Sequence, residues 1–299
     1  MCIRDSLSNA LLLGLAHQLG ERLQVPVICS LQDEDVWVDV MKPSAAESVW
    51  KLMSNKAEDV AKFISVSDFY AGVMKEKMSL PKEKVTSVHI GVDPADYTFK
   101  PVSEKKRNIG YVSRMCHSNG LDILVDAFIL LKKKEGFEDV NLVLTGGSTG
   151  DDKKFLSELK GRLRENGLHH QVEFHDDFEE EGLREYLEKV SVVSVPVRNG
   201  EAFGIYLLEC MVSGIPVVQP ALGAFPEIVG LTKGGVIYQE NTPEALSQAL
   251  EKLLSDPGEM DKLSRAGKEG VEEHFHIDVQ AERMIAVYES AIKAHKTKS

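Results

Sequence analysis

Short apolar runs alternate with helical patterns along almost the whole chain, and this alternation limits the possible folds more than any other feature. The runs at 25–31, 108–113 and 140–145 are nearly continuous in apolar residues, as strands buried on both faces are. Such strands are parallel, and parallel strands need crossover connections, which the helical segments supply. The sequence therefore predicts an α/β protein with doubly wound, Rossmann-like sheets.

The number of predicted strands favours two sheets over one. A polar segment at 98–107 interrupts the alternation. This interruption excludes a barrel, which needs eight evenly spaced units. We therefore expect a first lobe over 1–100, a second lobe over 101–275 and a C-terminal helix over 276–299 that returns to the first lobe.

The start of the chain does not follow the pattern of a doubly wound domain, which normally opens with a buried strand. A helical pattern at 7–23 comes first, and 1–6 set up no strand. We therefore expect the first lobe to be incomplete and truncated at its amino terminus. Further along this lobe, Ser44 and Ser67 are predicted to cap the helices that follow them.

The charge balance excludes several classes of function. The chain has 35 Lys and Arg against 47 Asp and Glu, a formal net charge of −12, so it is a poor partner for nucleic acid. Its four cysteines are far apart, which argues against a disulfide scaffold or a zinc site and fits a reducing cytosol. The early apolar stretch at 7–15 is too short to be a transmembrane segment and lacks the basic start of a signal peptide.

The segment 198–214 has the pattern most typical of a ligand site. In doubly wound sheets, ligands bind beyond the carboxyl ends of strands. A predicted strand at 191–197 leads through a loop with Glu201 into a helix that starts at Gly204 and has Glu209 on its apolar face. A carboxylate there is costly unless it is hydrogen-bonded, and a ribose diol could supply two donors. The alternatives are a solvated loop acid for Glu201, and a bond from neighbouring backbone or an arginine for Glu209.

Two features could bind a phosphate. The N–H groups of Phe203, Gly204 and Ile205 stand at the start of that helix, where the helix dipole favours an anion. Arg114, in the strand-to-helix segment 110–120, could pair with a diphosphate through two N–H groups. The alternative for Arg114 is an ordinary surface arginine.

Together the two segments resemble family four of the retaining glycosyltransferases, which have the GT-B fold of two Rossmann-like lobes. That family carries a glutamate, seven residues and a second glutamate, with a Phe-Gly turn between them, as Glu201 and Glu209 are arranged here. The similarity covers nearly the whole chain. Its other parts are Arg114, Ser213-Gly214-Ile215-Pro216-Val217, the turn at 223–227 with Ala224 in place of a second glycine, Gly91-Val92-Asp93, and 241–246.

The resemblance implies a role for each site residue. Glu201 would contact the transferred sugar, Glu209 the ribose and Arg114 the diphosphate. The strand edge at 174–177 would lie near the base. The residues implied in catalysis are Glu201 and Arg114, and those implied in donor binding are Glu209, Phe203, Gly204, Ile205, Asn119, Phe174 and His175.

The implied activity is transfer of a sugar from a nucleoside-diphosphate sugar to an acceptor hydroxyl, with retention of anomeric configuration. The acceptor would be a carbohydrate, a lipid-linked molecule or a small molecule, and neither a metal nor another cofactor is expected. The protein would be cytoplasmic, or peripheral at the inner membrane face. Two alternatives keep the same fold: an inactive nucleotide-sugar-binding fragment and a nucleotide-sugar epimerase. A nicotinamide oxidoreductase is disfavoured because the chain lacks the G-x-G-x-x-G fingerprint.

The chain departs from the family pattern in the diphosphate site. The family has a lysine five residues after the arginine, where this chain has Asn119. Loss of a charge-assisted hydrogen bond would weaken binding by about 1.5–3 kcal/mol. His117 or Lys132 could supply the missing charge. The glycine loop and acceptor-side residues of the family's first lobe would precede residue 1.

Three further motifs favour a structural role over a functional one. The glycine-rich segment 146–150 lacks dinucleotide spacing and predicts a strand-to-helix turn. The pairs His169-His170 and His274 with His276 lack metal-ligand spacing and are predicted to mark helix ends and turns. The acidic run at 31–37 follows a strand, and we favour a solvated loop there over contact with an acceptor.

Overall fold

The computed structural model describes residues 6–175 and 180–297, which divide into two compact units. The first unit contains 6–91, 201–203 and 277–297, and the second contains the remaining described residues between 92 and 276. Apart from the short segment 201–203, the chain passes from one unit to the other after residues 91 and 276. The domain limits predicted at residues 100 and 275 remain predictions.

The first unit is built on a parallel sheet of four strands, in the order β1-β2-β3-β4. Helices connect successive strands, as parallel pairing requires. The strands are β1 (Ser6–Leu7), β2 (Ile28–Leu31), β3 (Lys62–Ser65) and β4 (Val85–Ser87), and the helices are α1 (Ala16–Leu23), α2 (Glu34–Val38), α3 (Pro43–Lys56) and α4 (Asp68–Met78).

The second unit is built on a parallel sheet of six strands. Its strands are β5 (Asn108–Val112), β6 (Asn141–Thr145), β7 (Val172–Phe174), β8 (Val192–Val193), β9 (Val217–Pro220) and β10 (Gly235–Tyr238). Its helices are α5 (Leu121–Leu131), α6 (Lys153–Glu165), α7 (Glu180–Lys189), α8 (Ile205–Val212), α9 (Phe225–Thr232), α10 (Pro243–Leu254) and α11 (Pro257–His274). Two parallel sheets with helical crossovers confirm the predicted α/β class.

The last helix, α12 (Ile277–Lys296), belongs to the first unit. Its buried residues Val287 and Ala291 pack in one apolar cluster with Ile28, Ile64 and Val88. A helix from the end of the chain therefore covers strands formed near its beginning.

The strand order of the second sheet is β10-β9-β8-β5-β6-β7. From β5 the chain builds outward through β6 and β7, then returns to the other side of β5 with β8 and builds outward again. Gly110 in β5 lies in register with Val143 on one side and Val193 on the other. The order reverses between β5 and β8, which makes that position the switch point of the sheet.

The amino-terminal segment differs from the single helix predicted at 7–23. A short strand, β1, pairs in parallel with β2, so the expectation that no strand precedes the first helix is wrong. The helical pattern is split because the Asn9 side chain accepts a hydrogen bond from the Leu11 N–H at 2.8 Å and caps a 3-10 turn over Ala10–Leu15. The α-helix α1 begins only after that turn.

The two predicted serine caps of the first lobe have different outcomes. Ser67 is confirmed, because its hydroxyl accepts a hydrogen bond from the Tyr70 N–H at 3.0 Å at the start of α4. The prediction that Ser44 caps its helix is wrong, because α3 already begins at Pro43. Proline suits the first turn of a helix, since its φ is fixed near the helical value and its missing N–H is not needed there.

The strand predicted at 191–197 is shorter in the structure. Pairing ends at β8 because the Val195 N–H donates to the side-chain oxygen of Gln219 at 3.2 Å instead of to a neighbouring strand. The chain then turns towards Arg198. The helix α9 was not predicted from the sequence.

Gly120 precedes α5 with φ +70°, and a Cβ added to it would lie 1.9 Å from the carbonyl oxygen of Pro196. Gly167 has the same φ, but an added Cβ would meet nothing within 4 Å. Gly167→Ala should therefore cost only the backbone strain, about 1–2 kcal/mol. Gly120→Ala should cost about 1–3 kcal/mol more through steric overlap. Urea denaturation of both variants measures the difference, and equal losses would contradict the close approach.

Candidate functional site

Two loops leave the switch point of the second sheet side by side. The loop from β5 to α5 carries Arg114 and Asn119, and the loop after β8 begins at the level of Ser194. The backbone N–H of Arg198 donates to the Ser118 carbonyl at 3.0 Å, so the two loops touch. Ligands of open α/β sheets bind in the crevice beyond the carboxyl ends of the strands at such a point.

The Arg198 side chain holds these loops together. Its Nε donates to the His117 carbonyl at 3.0 Å and its Nη2 to the Asp122 carboxylate at 2.5 Å. Asp122 lies in the first turn of α5, so one guanidinium ties the second loop to the first loop and to its helix. The crevice is therefore lined by two loops with a fixed spacing.

Arg114 forms a two-point ion pair. Its Nε and Nη2 donate to the two carboxylate oxygens of Asp152, each at 3.1 Å, and Nη2 also donates to the Thr149 hydroxyl at 2.9 Å. The Arg114 guanidinium holds the pKa of Asp152 below its usual range. Half of the Arg114 side chain is exposed, and the role of Arg114 towards a diphosphate stays a prediction.

Asn119 serves the backbone of its own loop. Its Nδ2 donates to the Ser113 hydroxyl at 2.9 Å and to the Arg114 carbonyl at 3.3 Å. The Tyr111 hydroxyl donates to that same carbonyl at 2.8 Å. The neutral amide therefore stabilises the loop that carries Arg114 and brings no charge to it.

Of the two cations considered as substitutes for the missing lysine, Lys132 is unsuitable. Its Nζ donates to the carbonyls of Phe137, Glu138 and Val140, which closes the loop after α5. That loop leads into the start of β6, whereas the site lies at the carboxyl ends of the strands. The expectation that Lys132 supplies the charge is therefore wrong. His117 lies within the β5–α5 loop, and its role stays a prediction.

Glu209 lies on α8 and is largely withdrawn from solvent. The Tyr97 hydroxyl donates to its Oε1 at 3.1 Å. The alternative partners considered for Glu209, neighbouring backbone or an arginine, are not what the structure has. Burial raises the pKa of Glu209, and the Tyr97 hydrogen bond only partly offsets this. Folding therefore disfavours the charged form of Glu209. Because the described residues supply the carboxylate with the Tyr97 donor alone, its other acceptor positions can take further hydrogen bonds.

The residues before α8 divide between the two units. Gly204 and Ile205, at the start of α8, belong to the second unit, whereas Glu201 and Phe203 group with the first. The neighbouring Ala202 carbonyl accepts a hydrogen bond from the Ser67 hydroxyl at 2.6 Å. The roles implied for Glu201, and for the N–H groups at 203–205, stay predictions.

The residues predicted to lie near the base are at the carboxyl end of β7. The Phe174 ring stacks under Lys160, whose Nζ is 4.3 Å from the ring centroid. The N–H of His175 donates to the Leu144 carbonyl at 2.7 Å, and its Nε2 lies 3.0 Å from the Gly182 carbonyl. Asp176 and Asp177, the rest of the predicted edge, lie outside the described residues.

The acidic run after β2 is not a solvated loop at its centre. Glu34 is fully buried and accepts hydrogen bonds from the N–H groups of Ala10 at 2.9 Å and Gln32 at 2.8 Å. The Tyr70 hydroxyl lies 2.8 Å from the same carboxylate. Burial raises the pKa of Glu34. The solvated interpretation is therefore wrong for Glu34, which instead anchors the carboxyl end of β2.

The remaining motifs bring no new chemistry to the site. Residues 146–149 connect β6 to a 3-10 turn that leads into α6, and the Gly147 carbonyl accepts the Met115 N–H at 2.8 Å. Across 6–175 and 180–297, no three His, Cys, Asp or Glu residues cluster in a way that could hold a metal ion. Within the same ranges, no helix has the length and apolar composition needed to cross a bilayer.

Sequence reasoning missed Tyr97, Asp152 and Arg198. Thr149 and Asp152 have the spacing of a capping box, and the structure contains both of its hydrogen bonds, so this pair could have been found. Tyr97 is 112 residues from Glu209, and no local pattern links them. Arg198 follows a strand, but only the strand order brings it to Asp122.

A comparison with known families identifies the class of protein that this fold and crevice define. The model of the family "Glycosyl transferases group 1" matches residues 95–270, more than half of the chain. The chain therefore belongs to the group 1 glycosyl transferases, as its resemblance to family four implied.

Individual proteins agree with this assignment. The chain is 28% identical over 247 residues to a D-inositol 3-phosphate glycosyltransferase of Jonesia denitrificans, covering 78% of this chain and 57% of that protein. It is 28% identical over 225 residues to the lipopolysaccharide core biosynthesis mannosyltransferase LpsB of Rhizobium meliloti, covering 74% and 60% respectively. The chain thus spans less than two thirds of the length of these relatives.

Solved structures show the same fold. HepE of Anabaena, crystallised in complex with UDP, matches with a TM-score of 0.80 at 17% identity, covering 93% of this chain and 76% of that one. Sucrose-phosphate synthase of Thermosynechococcus elongatus matches with a TM-score of 0.78 at 21% identity, covering 97% and 74%. These likenesses confirm the predicted GT-B fold with its Rossmann-like lobes.

Glu209→Gln should make the protein more stable above neutral pH. A raised pKa means that the folded state holds the proton more tightly than the unfolded state. The contribution of Glu209 to the free energy of unfolding is therefore fully present below the ordinary glutamate pKa. It declines as the pH rises through the pKa that Glu209 has in the folded protein. The neutral amide keeps an oxygen for Tyr97 and removes that decline. Melting temperatures from pH 4 to pH 9 measure the effect.

The matched control is Glu158→Gln, on an exposed part of α6, which should leave the pH profile of stability unchanged. A Glu209→Gln protein that tracks the parent protein at every pH would show that ionised Glu209 carries no penalty in the fold.

Proposed function

We propose that this chain is the donor-binding part of a retaining glycosyltransferase of family four. It transfers a sugar from a nucleoside-diphosphate sugar to an acceptor hydroxyl and keeps the anomeric configuration. The single observation that carries this proposal lies at the switch point of the second sheet. There, the loop that carries the half-exposed Arg114 contacts the loop that leads into α8, and Glu209 lies one turn into that helix.

The chemistry of the crevice suits a nucleoside diphosphate. Arg114 has N–H groups to spare after pairing with Asp152, and these match phosphate oxygens. The start of α8 adds backbone N–H groups and the positive end of a helix dipole. Glu209 is a mostly buried carboxylate with one protein donor, Tyr97, and a ribose diol would satisfy its remaining acceptor sites.

The names of similar proteins guide the choice of ligands to test. HepE was crystallised with UDP and glucose and with UDP-glucose, which makes UDP the first nucleotide to examine. The names of the relatives differ, since one is a D-inositol 3-phosphate glycosyltransferase and another is a mannosyltransferase of lipopolysaccharide core biosynthesis. We therefore propose the donor class and leave the acceptor as a carbohydrate, a lipid-linked molecule or a small molecule.

Catalysis in this proposal depends on stabilising the leaving group. As the nucleoside diphosphate departs from the anomeric carbon, negative charge grows on its phosphate oxygens, and hydrogen bonds from fixed donors strengthen there. Arg114 and the N–H groups at the start of α8 would supply those donors, without a metal or another cofactor. The acceptor hydroxyl attacks from the face that the leaving group vacates and gives its proton to the departing phosphate oxygen, so the configuration is preserved and the nucleoside diphosphate leaves with the proton. Glu201 is proposed to contact the transferred sugar.

We place this activity in the cytoplasm, with peripheral attachment to the inner membrane face if the acceptor is a lipid. The described cysteines support a reducing location, since Cys29, Cys116 and Cys210 are buried free thiols.

The purified chain should be stabilised by one nucleoside diphosphate among UDP, GDP and ADP. A ligand at about 100 times its Kd adds about 2.7 kcal/mol to the free energy of unfolding. Glu209→Ala should abolish most of this gain, because it removes the proposed ribose acceptor. Glu158→Ala, an exposed glutamate on α6, is the matched control and should keep the gain. Thermal melting with and without each nucleotide measures it.

The outcomes separate the competing functions. No shift with any nucleotide, in a chain that melts cooperatively, would overturn the donor site. Selective binding without sugar transfer would favour the inactive binding fragment. Conversion of the sugar donor with no acceptor present would favour the epimerase.

A further inference from the structure

The partner of Arg114 is itself unusually well held. The Asp152 carboxylate accepts the Thr149 N–H at 2.7 Å and the Thr149 hydroxyl at 2.8 Å, in addition to the two donors of Arg114. Its side chain is only 9% exposed, whereas that of Arg114 is 50% exposed. A buried, four-times bonded acid therefore supports an arginine that reaches into solvent.

The pair uses only one edge of the guanidinium. Nε and Nη2 of Arg114 are bound to Asp152 and Thr149, and Nη1 makes no hydrogen bond to any described residue. An Arg side chain on its own has several rotamers, and a two-point pair restricts the fork to one orientation. The free edge of Arg114 is thus presented from a fixed position.

A purely structural role of Asp152 as a helix cap would not require the ion pair with Arg114. Asp152 closes the capping box with Thr149 at the start of the helical segment that leads into α6, and that box needs no arginine. Arg114 comes from a different loop, 38 residues earlier in the chain. The pair therefore links the turn after β6 to the loop after β5, both at the carboxyl edge of the sheet.

The surrounding loop makes orientation more important than charge. Asp152 compensates the positive charge of Arg114, and Asn119 adds only a neutral amide to the same loop. An anion approaching this loop meets little net positive charge. Its recognition then depends on well-directed N–H groups, whose hydrogen bonds to an anion weaken steeply when they are misaligned.

We propose that Asp152 is a positioning residue for the donor diphosphate, which holds the free edge of Arg114 towards the phosphate oxygens. This inference rests on the proposed function, because it assumes that a nucleoside diphosphate binds in the crevice. In this role Asp152 acts on the reaction through Arg114 and does not itself contact the substrate.

For the Asp152→Asn variant, the proposal predicts weaker diphosphate binding, whereas the loss of a negative charge alone would predict tighter binding. Asp152→Asn removes a negative charge beside the phosphates, and Coulomb attraction alone would tighten diphosphate binding. Loss of orientation should instead weaken the binding of UDP, GDP or ADP, whichever the parent protein binds, by about tenfold. The matching nucleoside monophosphate, which lacks the second phosphate, should lose less. Isothermal titration calorimetry measures both affinities.

Three further variants separate positioning from other effects. Asp151→Asn removes the same charge from an exposed neighbour and should leave diphosphate affinity within about twofold, since surface charges interact weakly through water. Asp152→Glu keeps the charge but displaces the carboxylate, and should weaken diphosphate binding as Asp152→Asn does. In an Arg114→Ala background, Asp152→Asn should not weaken diphosphate binding further, because no arginine remains to be positioned. Asp152→Glu also serves if Asp152→Asn fails to fold.

The results distinguish the two levels of the proposal. If the parent protein binds none of the three diphosphates, the proposed function fails and this inference fails with it. If the parent protein binds one of them, and both Asp152→Asn and Asp152→Glu bind it as tightly or more tightly, the donor site stands and the positioning role is wrong.

Discussion

The pairing of β5 with β6 on one side and β8 on the other is the constraint on which the second unit depends. It needs a strand without side-chain bulk at its centre. A Cβ added to Gly110 would lie 2.3 Å from the Tyr186 hydroxyl and 2.9 Å from the Val193 side chain. Glycine therefore lets α7 pack closely on the sheet while β8 pairs beside it. The strand order reverses at this point, so two loops leave the same edge and form the crevice.

Several polar contacts join the loops that line that crevice. Arg198 ties the loop after β8 to the start of α5, and Asn119 ties the loop after β5 to its own backbone. Asp152 ties the same loop to the turn after β6. In a chain with a net charge of −12, anion recognition has to be local. The ion pair of Arg114 makes it directional as well, because one edge of the guanidinium is occupied and the other is open.

The fold could be predicted from the sequence further than the site could. The buried strands, the crossover helices and the Ser67 cap follow from patterns within a few residues, and the structure confirms them. Two errors concern side chains whose hydrogen-bond partners no sequence pattern indicated. Glu34 lies in the interior although its neighbours in the sequence are acidic, and hydrogen bonds from Ala10 and Tyr70 offset the cost of burying its carboxylate. The Lys132 Nζ donates its hydrogen bonds to carbonyls of the loop that follows it, and no pattern in the sequence indicated these contacts.

The sequence by itself determined the α/β class, the division into two sheets and the segments that carry Arg114, Asn119 and Glu209. Apolar periodicity and helix caps are local properties, so they can be read along the chain. Only the tertiary structure decided the partners of those residues. Asp152 is 38 residues from Arg114, and Tyr97 is 112 residues from Glu209. These contacts form because strand order and backbone geometry bring remote segments to one place, and a buried polar group binds whichever donor arrives there.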